Sequence, residues 1–215
     1  MRLPIVTISI ALTTICVFLL GGAIPDHLIW HNGEGTRTWQ WLSAHFAHIS
    51  TEHLTWNIVA FIILGSIIEQ TSRKVLGLAL AAGVVGVNFY LASLFTLDAY
   101  AGLSGALNSM LLITLYFLYQ LADYKVASVV TLVLSLAKIA VEYFSGLSIF
   151  STLAWPAVPE AHFAGLIGGT VLVIILEIRK QKLLDLDFIS FSDTNRDSQA
   201  TTRSNRALKV GKSKD

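Results

Sequence analysis

Six apolar stretches, at approximately 4–24, 51–70, 75–96, 101–121, 126–146 and 160–178, take up most of the chain as far as residue 178. Each is close to the ~20 residues that a helix needs to cross a hydrocarbon core ~30 Å thick. Backbone N–H and C=O groups have no water to bond inside lipid, so helices that satisfy them internally are expected. Charged residues make up 13% and hydrophobic residues 54% of the 215, against roughly 25% charged in a soluble domain. The expected fold is therefore an all-α polytopic membrane protein with six transmembrane helices over residues 1–182. The first stretch is long enough to span and lacks a clear small-x-small cleavage site, so it is read as a membrane helix. Residues 183–215 are polar, without apolar periodicity, and read as a disordered cytoplasmic tail, with attraction to anionic lipid as an alternative.

The cationic residues give the orientation. Arg2 precedes the first stretch, Arg73 and Lys74 follow the second, Lys125 follows the fourth, and Arg179, Lys180 and Lys182 follow the sixth. With alternating spans these share one side, while the other holds Arg37 with Asp26, Glu34, Asp98 and Glu160. The positive-inside rule then puts both termini in the cytoplasm. Trp30, Trp39 and Trp41 crowd the connection between the first two spans. Tryptophans there favour the membrane–water interface, and a re-entrant or amphipathic segment is expected. The lone cysteine, Cys16, lies in an apolar run and has no partner for an intramolecular disulfide. A net charge of +1 gives no reason to expect nucleic acid. The expected partners are the lipid bilayer and transmembrane protein substrates.

Polar residues inside apolar runs tend to mark function. In this topology the second, fourth and sixth spans all run inward from the outer face. Ser104 is expected about one turn into the fourth span and His162 at a similar depth in the sixth, past Pro156 and Pro159. At a 1.5 Å rise per residue both lie ~5 Å below the outer boundary. His53 and Asn57, four apart, share a face at the start of the second span. Spacing and topology thus bring a serine, two histidines and an asparagine to one level.

The chemistry available at that level is acyl transfer. An imidazole that takes the hydroxyl proton makes serine a nucleophile. A serine near a helix N-terminus has free backbone N–H groups and the positive end of the dipole beside it. Gly102 and Gly105 flank Ser104, and Gly165, Gly168 and Gly169 follow His162; small residues allow the close helix approach that a serine–imidazole bond requires. His53 and Asn57 carry N–H donors suited to an oxyanion. No carboxylate stands at this depth in an obvious orienting position, so a dyad rather than a triad is expected.

These residues resemble the rhomboid intramembrane serine proteases. The family pattern His-x4-His-x3-Asn fits His48, His53 and Asn57, and Gly-x-Ser-Gly fits Gly102 to Gly105. Ala-His-x2-Gly fits Ala161, His162 and Gly165, and Leu64-Gly65-x3-Glu69 fits the end of the second span. The resemblance covers about residues 1–182 and implies a rhomboid-like fold. It implies Ser104 as nucleophile, His162 as general base, and an oxyanion hole of His53, Asn57 and the Ser104 amide. The run Trp39-x-Trp41-Leu42-x-x-His45-Phe46-x-His48 looks like rhombosortases, bacterial members thought to process Gly-Gly-type C-terminal tails. That would put the chain in a bacterial inner membrane with its site toward the periplasm. Many rhomboids have Arg after the tryptophan of the first loop where this chain has Gln40. Many carry Tyr four residues after the serine where this chain has Asn108.

The same residues admit other readings. His45, His48 and His53 raise a metal site, but only Glu52 is near and it faces away from His53, so no metal and no cofactor are expected. His48 reads as structural, tying the first loop to the second span, and His45 as an interfacial residue. Lys138 and Glu142, four apart in the fifth span, read as an internal ion pair, with a grip on a substrate's polar terminus as the alternative. Glu69 reads as a packing or capping group. The rival functions are a catalytically silent rhomboid-like adaptor for transmembrane clients, and a small-molecule transporter. A transporter is disfavoured by the lack of repeats and paired broken helices.

Overall fold

Helix formation follows the apolar runs. A computed structural model of the chain describes residues 3–20, 26–33, 35–93, 97–146 and 158–181. The helices are α1 (Ile5–Leu20), the four-residue α2 (Gln40–Ser43), α3 (Thr51–Thr71), α4 (Arg73–Ser93), α5 (Ser104–Tyr119) and α6 (Lys125–Ser145), then α7 (Pro159–Gln181). Met1–Val173 forms one compact unit. The second, Ile174–Asp215, is described only to Gln181, as the closing turns of α7. The polar tail expected at 183–215 lies outside the described residues.

Among the described residues, four helices are long and apolar enough to cross a membrane: α3, α4, α6 with its preceding 3₁₀ turn, and α7. Apolar side chains such as Val126, Val129, Val133, Leu134 and Phe144 on α6 stay exposed, the pattern of a surface that meets lipid. The chain is a multi-pass membrane protein. The other two expected spans, α1 and α5, are apolar helices of 16 residues each, ~24 Å long at 1.5 Å per residue. In α5 the shortness has a local cause: Gly102, at φ +123°, holds a backbone conformation that no right-handed helix contains. Ser104 is therefore the first residue of α5 rather than a turn inside it.

α5 is the helix the others surround. It buries Gly105, Ala106, Leu107, Ser109, Met110, Ile113, Thr114 and Leu115 and packs against α3, α4 and α6. α6 is the opposite case, burying only Ser128, Ile139 and Glu142.

Two polar devices fix the termini of these helices. Ser50 caps α3 by accepting from His53 N at 3.1 Å. Glu69, near the far end of α3, accepts from Val6 N (3.1 Å), Thr7 N (2.9 Å) and Thr7 Oγ1 (2.9 Å), and from Arg73 Nε at 3.1 Å. The amides of Val6 and Thr7 are in the first turn of α1, where no intrahelical acceptor exists, so the carboxylate caps a helix to which it does not belong.

The connection between α1 and α3 is not one amphipathic helix. It contains a 3₁₀ turn at Asp26–Leu28, a strand β1 (Trp30–His31) and α2. β1 pairs antiparallel with β2 (Ala99–Tyr100), Trp30 opposite Tyr100. Trp30 and Tyr100 are buried together with Ala44, Val87, Leu91 and Ala161. The loop is thereby anchored to the segment that leads into Ser104.

Candidate active site

Four residues define the approach to Ser104. Gly102 N donates to Ala44 O at 2.8 Å, and Tyr100 Oη donates to Gly102 O at 2.9 Å. Burial raises the Tyr100 phenol well above its ordinary range, so it stays a neutral donor. The His53 ring occupies the space that a side chain at Gly102 would need: a Cβ there would lie 2.7 Å from His53 Nε2. The glycine thus serves both the turn and the histidine.

The serine meets its histidine across α5 and α7. His162 Nε2 lies 2.9 Å from Ser104 Oγ, a good hydrogen-bond length. Glycine makes this approach possible. A Cβ on Gly165 would overlap the carbonyl oxygen of Gly105, and one on Gly169 would sit 3.0 Å from Ser109 O. The His162 side chain is 11% exposed, so the pair is sheltered but reachable.

His53 and Asn57 follow one turn apart on α3, which packs against α5. Asn57 is buried. Neither Asn57 Nδ2 nor His53 Nδ1 has a hydrogen-bond partner among the described residues. A buried amide donor without a partner is costly and is suited to a group that arrives during reaction.

A carboxylate stands at this level after all. Glu142, on α6 and 1% exposed, has Oε2 3.7 Å from His162 Nδ1. The same oxygen is 2.6 Å from Lys138 Nζ, so the expected ion pair is present. What sequence reasoning missed is the face of α6 that turns toward α7, because helical spacing gives relative faces and not which neighbour each one meets.

A family model for the rhomboid domain matches residues 35–179 of the 215. The chain belongs to the rhomboid family. Rhomboids are typically intramembrane serine proteases. The matched span contains Ser104, His162, His53 and Asn57 and begins after α1. No curated protein matches this rhomboid.

The two departures from the commoner rhomboid pattern have local partners here. Gln40 is buried and its Oε1 accepts from Arg37 N at 2.7 Å, closing the turn that opens α2. Asn108 Nδ2 donates to Ser104 O at 2.9 Å, within α5 rather than toward His162.

His45 is not an interfacial residue. It is fully buried, edge-on to Tyr100 with ring centroids 5.4 Å apart. Asn88 Nδ2 donates to Trp41 O at 2.8 Å, which turns Asn88 Oδ1 toward His45 Nε2 at 3.0 Å. His45 must therefore donate through Nε2. A lone Asn in the apolar α4 was the available signal, since polar groups there need a partner. His48 Nδ1 donates to Phe46 O at 3.1 Å, and its ring meets His53 edge-on at 5.1 Å.

Both loop histidines are held neutral. Burial, with neighbouring His53 as a smaller cause, lowers His48 to about 3. Burial also lowers His45, against a raising contribution from Asn88. The unfolded chain binds the extra protons below pH ~6.5, so the stabilisation is complete above that pH and is lost as pH falls toward 3. His48 alone should cost about 2 kcal/mol by pH 5. Thermal unfolding in detergent should give a lower midpoint at pH 5 than at pH 7.5, and His48→Asn should flatten the difference. Equal midpoints for the unmodified protein would contradict this account.

Proposed function

We propose that this rhomboid is an intramembrane serine endopeptidase in which Ser104 is the nucleophile and His162 the general base. The observation that carries this reading is the 2.9 Å contact between Ser104 Oγ and His162 Nε2, at the N-terminus of a buried helix. His162 Nε2 takes the hydroxyl proton as Oγ bonds to a peptide carbonyl carbon, and the carbonyl π pair moves onto oxygen. His53, Asn57 and the Ser104 amide hold that oxyanion; removing one such donor typically costs ~10²–10³ in rate. The proton on Nε2 then passes to the leaving amine as the C–N bond breaks, and water, or an amine acceptor in a transfer reaction, releases the acyl group.

The full topology and substrate belong to the same proposal. All six apolar helices span, with both termini cytoplasmic and the site toward the periplasm of a bacterial inner membrane, as the cationic residues favour. The substrates are membrane-anchored proteins with Gly-Gly-type C-terminal tails, as the Trp39-to-His48 run favours.

A fluorophosphonate probe tests the chemistry directly. One equivalent should attach to the detergent-solubilised protein at Ser104, and none to Ser104→Ala. A folded, unmodified protein that takes up no label would favour the silent adaptor instead.

A further inference from the structure

We propose that Glu142 is a positioning residue for His162, so that the site works as a serine–histidine–glutamate relay rather than as a bare pair. The inference rests on the proposed roles of Ser104 and His162.

Three observations carry it. First, Glu142 is 1% exposed although α6 buries only two other side chains, Ser128 and Ile139. An i,i+4 Lys–Glu pair can form anywhere around a helix, including its outer face. A carboxylate turned inward takes on a desolvation cost that an ion pair alone does not require. Secondly, Oε2 faces Nδ1, the imidazole nitrogen that Ser104 does not use, at 3.7 Å. Thirdly, Lys138 Nζ contacts that same oxygen at 2.6 Å while being 30% exposed itself. The lysine compensates the buried charge and leaves the carboxylate in place beside the ring.

The consequence is chemical. A carboxylate can only accept, so it favours the tautomer with the proton on Nδ1. Nε2 then presents its lone pair to the serine hydroxyl, as a general base must. When the hydroxyl proton moves to Nε2, the ring becomes a cation beside an anion in a poorly screened setting, which lowers the energy of that state. No proton needs to leave Nδ1. A distance of 3.7 Å is longer than a hydrogen bond, but such contacts commonly tighten in the reacting complex, and a side-chain shift of under about 1 Å closes the gap.

The test is the time course of fluorophosphonate labelling, which separates the rate constant per site from the final fraction labelled. Glu142→Gln should lower the rate constant by about 10- to 100-fold and leave the final fraction unchanged. Lys138→Gln leaves an acceptor oxygen facing Nδ1 but removes the cation that offsets its buried charge, so it should slow labelling by less than Glu142→Gln does. A purely structural ion pair predicts something different: either substitution lowers the labelled fraction, and neither changes the rate per site. Removing both partners of a buried pair is gentler on folding than removing one, so K138Q/E142Q covers the case in which the single variant fails to fold. It should be as slow as Glu142→Gln. An unmodified rate constant in either Glu142 variant overturns the proposal, as does a Lys138→Gln protein that labels more slowly than Glu142→Gln. If the unmodified protein does not label, the protease reading fails and this inference with it.

Discussion

His162→Ala is expected to slow phosphonylation of Ser104 by about 10³-fold or more. Ser104 Oγ has His162 Nε2 at 2.9 Å, and a neutral serine hydroxyl is a weak nucleophile without such a base. His53, whose ring lies against Gly102 and edge-on to His48, is assigned to the oxyanion rather than to the proton. The loss should appear in the rate constant rather than in stability, since His162 is partly exposed and the helix around it is held by glycine contacts. The time course of labelling, read beside a thermal melt, measures both. A variant that labels at the unmodified rate would remove His162 from the mechanism.

The second large effect comes from a single methyl group. Gly165→Ala should reduce labelling by about 100-fold, because a 1 Å misplacement in a reacting pair can cost that much. It should also destabilise the fold by about 1–3 kcal/mol through overpacking. The Cβ would overlap the carbonyl oxygen of Gly105, the residue next to Ser104. α5 and α7 would have to separate along the seam that sets the distance between Oγ and Nε2. Gly77→Ala is the matched control, since a Cβ on Gly77 of α4 meets nothing within 4 Å; it should leave the rate unchanged and not lower the midpoint, alanine being the better helix former. Wild-type labelling in Gly165→Ala would mean that the seam tolerates a wider spacing.

The site was legible in the sequence to the extent that its parts are local. Ser104 carries its glycines within two residues, His162 is followed by Gly165 three residues later, and His53 and Asn57 are one turn apart. Short-range spacing encodes each of these. Apolar runs likewise placed the helices, although α5 starts at Ser104 rather than near 101 because of the Gly102 backbone. What could not be read depends on rotation and tertiary packing. The Lys138–Glu142 pair follows from i,i+4 spacing, but its approach to His162 depends on how α6 is rotated against α7. His45 looked interfacial among tryptophans. Its burial depends on a two-residue strand pairing with residues nearly seventy positions later and on Asn88 from a third element.

Glu69 bears on the order in which the molecule is put together. Its carboxylate caps the start of α1 from 62 and 63 positions further along the chain. When α1 leaves the ribosome its first-turn amides have no protein acceptor of this kind, and none exists until α3 has been made almost to its end. α1, although made before α3, is thus among the helices whose position is settled late, and a nascent chain halted before residue 69 would carry it as a lodger rather than as part of the bundle.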